Sequence, residues 1–318
     1  MDEEEISVPQ NSSASGSALH RRIAAVNRHL NPLGPSLFHS SFREENGFCF
    51  DQGKLSANPT NGAEKEMVGA DTETPKPARD KVILVIGAGT GTGGAVAKRF
   101  AKGGYVACIV RRHKEALKSL EDEIIGEGGQ AHSFGVDARK EEEVVKLVEH
   151  IESSIGDIEV LVFNIGANEK RWILETTARL YYKVWEMAAF SGFLAGREVA
   201  RKMVERKRGT IIFTGATASV RGGSGFAAFA GAKFALRALA QSMARELGPK
   251  GIHVIHAVVD APINTVWTRG MTKDPEAMIS GERAIEPEDV GELYWHLHQQ
   301  PRRAWTHEID LRPWKEPW

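Results

Sequence analysis

Lys81-Val82-Ile83-Leu84-Val85-Ile86 is an apolar, β-branched run, and Gly87-Ala88-Gly89-Thr90-Gly91-Thr92-Gly93-Gly94 follows it without a break. No other stretch limits the possible folds so severely. A strand without polar alternation is one buried on both faces, as in a parallel sheet covered by helices. Glycine lets the backbone turn tightly at the strand's end and approach a bound group closely. An Ala-rich helical segment, Gly93–Lys102, comes next, so free N–H groups and the positive end of a helix dipole face whatever the loop cradles. In that setting the string predicts a pyrophosphate cradle, with Gly87, Gly89, Gly91, Thr92 and Gly93 as its candidate residues. A merely structural turn is the alternative.

The alternation continues along the chain. Strand-like runs at Tyr105–Val110, Glu159–Phe163, Gly209–Phe213 and Ile252–Val259 are separated by helix-like segments, among them Lys114–Ile125, Glu141–Ser154, Val184–Val199 and Phe226–Leu247. Strands and helices in this order join by right-handed crossovers. The expected fold class is therefore α/β, a Rossmann-type doubly wound parallel sheet in a single domain over residues 80–318. A formal charge of −1 over 318 residues argues against a nucleic-acid partner. No apolar run approaches the ~20 residues of a membrane span. Cys49 and Cys108 fit neither a metal site nor a disulfide framework, and Cys108 reads as a small buried strand residue.

Residues 1–79 do not read like a domain. An acidic start, a Ser-rich stretch and the Pro75-Lys76-Pro77 linker predict a disordered leader. One patch stands out, Arg22-Ile23-Ala24-Ala25-Val26-Asn27-Arg28-His29-Leu30, which resembles the type-2 peroxisomal targeting nonapeptide. Ile23, Val26 and Leu30 would form one apolar stripe of a helix for an import receptor to read. That resemblance implies a peroxisomal location, with cleavage near Cys49; the alternatives are a chance match, a cytoplasmic location or a basic amphipathic mitochondrial leader, against which the acidic start argues.

The second strand ends in Ile109-Val110-Arg111-Arg112-His113. An acid there would hold the adenosine ribose of NAD, whereas Arg111 and Arg112 suit the 2′-phosphate of NADP(H). Solvated surface arginines are the bland reading.

Taken in order, these features resemble the short-chain dehydrogenase/reductase superfamily over nearly all of residues 80–318. Gly87, Gly91 and Gly93 match its Gly-x-x-x-Gly-x-Gly spacing. Val136-Asp137-Ala138 resembles the segment that contacts adenine, and Val162-Phe163-Asn164-Ile165-Gly166-Ala167 resembles its Asn-Asn-Ala-Gly stretch. The resemblance implies an oxidoreductase acting on a small-molecule substrate. It adds Asp137, Ala138, Asn164, Gly166, Lys233, Ile263 and Thr265 to the cofactor-binding set. It also implies a homo-oligomer, a dimer or tetramer, paired through Val184–Val199 and Phe226–Leu247.

The catalytic positions depart from that pattern. Phe229-Ala-Gly-Ala-Lys233 stands where the superfamily has Tyr-x-x-x-Lys, the serine position falls on Ala216, and the asparagine position falls near Ala188. Only Lys233 remains. Tyr181, Tyr182, Thr217, Ser219 and Ser224 are candidate proton donors in place of the phenol missing at Phe229. Peroxisomal 2,4-dienoyl-CoA reductases, a branch that this stretch resembles, lack the tyrosine and protonate a conjugated thioester through other groups. The resemblance thus implies reduction of a carbonyl or of an activated alkene such as an enoyl or dienoyl thioester. A catalytically weak or inactive NADPH-binding sensor or scaffold is the alternative. Ala261–Gly281 is expected to be a mobile substrate lid, with Trp267, Arg269 and Met271 reaching the substrate. Trp305, Trp314 and Trp318 are expected to pack the domain edge or a subunit interface.

Overall fold

A strand as apolar as Lys81–Ile86 needs helices on both of its faces, and the chain supplies them. The computed structural model describes residues 79–316. The leader, the nonapeptide at 22–30, Cys49 and Trp318 lie outside the described residues. The strands are β1 (Lys81–Ile86), β2 (Val106–Arg111), β3 (Gln130–Gly135), β4 (Asp157–Phe163), β5 (Gly209–Thr214), β6 (Ile252–Val259) and β7 (Glu308–Leu311). They form one sheet in the order β3-β2-β1-β4-β5-β6-β7, parallel at every pairing.

The helices are α1 (Thr92–Lys102), α2 (Lys118–Gly126), α3 (Glu141–Ser154), α4 (Ala178–Trp185), α5 (Ser191–Arg206), α6 (Ala227–Leu247), α7 (Val266–Arg269), α8 (Pro275–Ser280) and α9 (Pro287–His298). Because side chains alternate along a strand, β1 splits between two cores. Val82, Leu84 and Ile86 pack with apolar residues of α3, α5 and α6. Ile83 and Val85 pack on the other face with α1, α2 and α9, around Phe100 and Tyr294. Complete burial of a ring such as Phe100 contributes about 1.5–3 kcal/mol.

The Rossmann-type expectation holds, and the differences are local. β3 and β7 escape a search for apolar runs because Gln-Ala-His-Ser-Phe-Gly and Glu-Ile-Asp-Leu are edge strands, whose exposed positions take polar residues. The helix expected over Val184–Val199 starts earlier, at Ala178, and is broken by a π-turn at Glu186–Phe190. Trp305 packs the domain edge, stacked on the His253 ring at a centroid distance of 4.7 Å, while Trp314 is exposed. None of the helices formed by the described residues is long and apolar enough to cross a membrane.

Topology also fixes where a ligand can sit. From β1 the chain runs outward to β2 and β3, then returns to place β4 on the other side of β1. Connections leave in opposite directions at the carboxyl ends of β1 and β4, which opens a crevice there. The glycine string of β1 and Asn164 after β4 meet in that crevice. At the opposite end of the sheet, Glu152 accepts hydrogen bonds from Arg206 and from the Ile158 amide, a tie remote from the crevice.

Candidate active site

Backbone packs directly on backbone in the glycine loop. Gly87 turns at φ +94°, in the left-handed region that disfavours side chains. Its N–H and that of Ala88 both donate to the Val110 carbonyl, at 3.0 and 3.1 Å. A Cβ on Gly93 would stand 2.6 Å from the Gly87 oxygen, so a methyl there has no room. Asn164 locks the arrangement: its amide N–H donates to Ile86 O at 2.8 Å and its Nδ2 to Gly87 O at 3.2 Å. No side chain caps the amino end of α1, so its first N–H groups are left for a ligand. Such a cradle fits a pyrophosphate.

The remaining cofactor candidates gather around this loop. Arg111 reaches back over it, its Nη1 3.6 Å from where a Gly89 Cβ would be. Arg112 is exposed on the same turn. Thr265 caps α7 and brings its methyl to 2.9 Å from the Cβ position of Gly91. Ile263 and Thr265 line the same cleft as Thr92, Ala138 is buried, and Gly166 faces open space. Asp137 accepts from Arg139 Nε at 2.8 Å and Nη2 at 2.6 Å. Those bonds hold its carboxyl at about 2, far below the usual carboxylate range. Its side chain is thus paired with Arg139, while its backbone N–H donates to Glu143 Oε2 at 2.8 Å and its carbonyl accepts from the Lys140 amide at 2.9 Å.

Lys233 lies beneath the floor of the cleft. Its Nζ donates to Thr214 O at 2.8 Å and Ile165 O at 3.2 Å, and burial alone lowers the ammonium to about 8. The Phe229 ring covers it at 5.9 Å from the centroid. Ala188 sits in the π-turn, a distortion common at functional sites, and packs with Phe229 and Ala218 in an apolar cluster. Where the superfamily pattern has polar groups, this floor is hydrocarbon.

Above it opens a cleft of about 1160 Å³, bounded by Ala216, Thr217, Phe226 and Phe229 on one side and Ile263, Trp267 and Met271 on the other. The segment 261–281, expected as a lid, carries two short helices, α7 and α8. Trp267 and Met271 line the cleft, whereas Arg269 Nε is tied to Asn264 Oδ1 at 2.7 Å. Of the candidate donors, only Thr217 is among the lining residues. Ser219 is wholly buried and its Oγ accepts from the Ala216 amide at 3.1 Å, which makes it a turn cap. Tyr181 directs its hydroxyl at Gly231, on the side of α6 away from Phe229 and Lys233, and Tyr182 is half exposed beside Trp185. Neither tyrosine lines the cleft.

Two lining residues were not legible as site residues. Arg221 and Arg283 border the cleft, and nothing in the sequence separates them from surface arginines. Asp260 gave a signal, an acid directly after the strand-like run Ile252–Val259. The structure links its carboxylate to the Thr217 hydroxyl and to Arg312 Nη2, the latter at 2.7 Å. Among the described residues no cluster of His, Cys, Asp and Glu could hold a metal ion.

A doubly wound parallel sheet with a glycine-cradled crevice at its switch point defines a nucleotide-binding α/β protein. The family model for short chain dehydrogenases matches residues 81–276, and the chain belongs to that family. It is 46% identical to a short-chain dehydrogenase of Rhodopseudomonas palustris, whose crystal structure covers 74% of this chain and 100% of its own, with a TM-score of 0.65. It is 27% identical over 195 residues to the bovine 3-oxoacyl-[acyl-carrier-protein] reductase, covering 61% of this chain and 81% of that protein. A fatty acyl-CoA reductase of Mycobacterium tuberculosis is 31% identical over 190 residues, 59% of this chain and 65% of that one. A metagenomic short-chain oxidoreductase in complex with NADP shares the fold, with a TM-score of 0.63 at 24% identity over 74% of this chain and 98% of its own.

Proposed function

We propose that the chain is an NADP(H)-dependent oxidoreductase that reduces a carbonyl or an activated alkene. One observation carries the cofactor preference: Arg111 reaches over the glycine loop beside Arg112, with no acid at the end of β2. Two guanidinium groups there suit a 2′-phosphate, each charge-assisted bond contributing about 1.5–3 kcal/mol. Gly87 to Gly93 and the start of α1 would hold the pyrophosphate, and Thr265 and Ile263 would close over it. When bound, the nicotinamide supplies the two-electron chemistry. The chain's own share is to orient the substrate between Phe229 and the lid, exclude water and deliver the proton. Two relatives are named as reductases of acyl substrates, one carried on a protein and one on CoA, which supports an acyl thioester among the candidates.

A second reading has its own support. Ala188, Ala216 and Phe229 leave the floor without the usual polar groups, as suits an NADPH-binding sensor or scaffold with little turnover. Titrating the full chain with NADPH and NADH, followed by nicotinamide fluorescence, tests the cofactor assignment. NADPH should bind at least tenfold more tightly, and Arg111→Ala should remove that margin. Equal binding refutes the 2′-phosphate site. Binding without turnover of aldehydes, ketones or enoyl thioesters moves the weight to the sensor.

Two further assignments belong to the same proposal. The nonapeptide at 22–30 directs the chain to peroxisomes, which fusion of residues 1–50 to a fluorescent protein tests; a diffuse signal refutes it. A second copy pairs against α5 and α6, where Phe193, Val204, Leu239 and Met243 line an apolar groove. A monomer in sedimentation experiments overturns that pairing.

A further inference from the structure

Asp260 presents an unusual problem for a residue at the end of a buried strand. It is 8% exposed and follows the fully buried run of β6. An isolated carboxylate at that depth costs several kcal/mol and is tolerated only when paired and hydrogen-bonded. Three partners hold it. Arg312, after β7, donates Nη2 to Oδ2 at 2.7 Å. The Thr217 hydroxyl donates to Oδ1, and Arg221 Nη2 stands 3.9 Å from the same oxygen. The Asp260 amide is itself fixed, donating to Leu311 O at 2.9 Å.

This cluster sits where the floor has lost its polar groups. Thr217 is half-buried, follows Ala216 directly and lines the cleft with Phe229. It is the one candidate donor that both borders the cleft and is joined to a titratable group. A neutral hydroxyl alone is a poor acid or base, and a carboxylate behind it supplies the proton capacity it lacks. The packing is specific as well: Ser219 Oγ caps the short turn at Thr217–Ser219 by accepting from the Ala216 amide, and the Thr217 hydroxyl is turned to Asp260 on the end of β6.

We propose that Thr217 is the catalytic proton-transfer residue of this site and that Asp260, held by Arg312 and Arg221, is the residue that positions and recharges it. The inference rests on the oxidoreductase reading above and concerns its carbonyl–alcohol form. In the oxidising direction the substrate alcohol gives its O–H proton to Thr217 Oγ as the threonine's own proton passes to Asp260 Oδ1. The C–O bond becomes C=O, and the two electrons and the carbon-bound hydrogen leave to the oxidised nicotinamide cofactor. Asp260 then returns its proton to solvent. Reduction is the reverse, and its proton enters through Asp260.

The test uses the full chain with NADPH and, in the other direction, NADP⁺. Aliphatic aldehydes, a cyclic ketone, a 1,2-diketone, an o-quinone, their alcohols and an enoyl thioester serve as probes. A positioned acid–base group contributes about 10²–10⁴-fold. Thr217→Val should therefore lower kcat by at least about 100-fold with KM and NADPH affinity little changed. Thr217→Ser should restore kcat to within a few-fold. Asp260→Asn should lower kcat similarly. It is the variant most exposed to misfolding, so Thr217→Val and Thr217→Ser carry the decision. Turnover by Thr217→Val equal to wild type overturns the relay and leaves the oxidoreductase reading intact. Wild-type turnover of an enoyl thioester but of no carbonyl or alcohol overturns the relay alone. A wild type that binds NADPH and turns over none of the probes, thioesters included, overturns both.

Discussion

Lys233→Met should remove a rise in stability at alkaline pH that the wild type shows. The buried Lys233 ammonium is lowered from 10.5 to about 8 by desolvation. At 1.36 kcal/mol per tenfold change in proton affinity, that gap corresponds to roughly 3 kcal/mol. Below pH 8 the lysine is protonated in both the folded and the unfolded chain, and the fold carries the whole cost of burying the charge. Between pH 8 and 10.5 the unfolded chain still binds the proton and the folded chain has released it, so stability rises with pH. Above 10.5 the cost is gone. Methionine has no such group, and it leaves the carbonyls of Thr214 and Ile165 without the Nζ donor, an offset of about 1–3 kcal/mol that does not depend on pH. Urea unfolding of both proteins from pH 7 to 10.5 measures the difference, since every other titrating group is common to the two. Wild type should gain about 3 kcal/mol on the variant across that range. Parallel stability curves would refute the burial argument and with it the neutral amine expected near the cofactor at mildly alkaline pH.

Three other outcomes can be checked with the same preparations. Gly93→Ala puts a methyl 2.6 Å from the Gly87 oxygen; overpacking of this kind costs about 1–3 kcal/mol. It should raise the NADPH Kd at least tenfold, and an unchanged Kd would mean the loop is not the cradle. Phe229→Tyr should change carbonyl turnover less than tenfold, because Thr217 already delivers the proton; a gain of 100-fold or more would mean the wild-type site lacks a donor. Tyr294→Phe strips the Thr214 hydroxyl of its buried partner at 2.9 Å. It should destabilise the chain by about 1–3 kcal/mol in denaturant while leaving NADPH affinity alone.

The signals that survived from sequence to structure are those carried by neighbours along the chain. Lys81–Ile86 and Ile252–Val259 are strands with the bounds their apolar runs suggested. The glycine string could be placed because a strand, a tight turn and a helix start are contiguous, and backbone approach at Gly87 and Gly93 follows from residue size. Edge strands β3 and β7 were hidden for the converse reason: some of their side chains face water, so their pattern is set by neighbours in space. The candidate proton donors show the same divide. Tyr181, Tyr182, Thr217, Ser219 and Ser224 are equivalent as a list of hydroxyls, and their spacing does not say which one borders a cavity.

Only the tertiary structure separates them. Thr217, Asp260 and Arg312 are 43 and 52 residues apart at successive links, and they meet because β5, β6 and β7 are adjacent in the sheet. It turns Ser219 into a buried cap, aims Tyr181 at the far side of α6, and buries Lys233 until its charge becomes costly. The sequence determined the α/β alternation and the nucleotide cradle, since both arise from short-range periodicity and glycine's missing side chain. Which polar groups share one dry pocket was decided by the packing of segments far apart in the chain, a property no local pattern encodes.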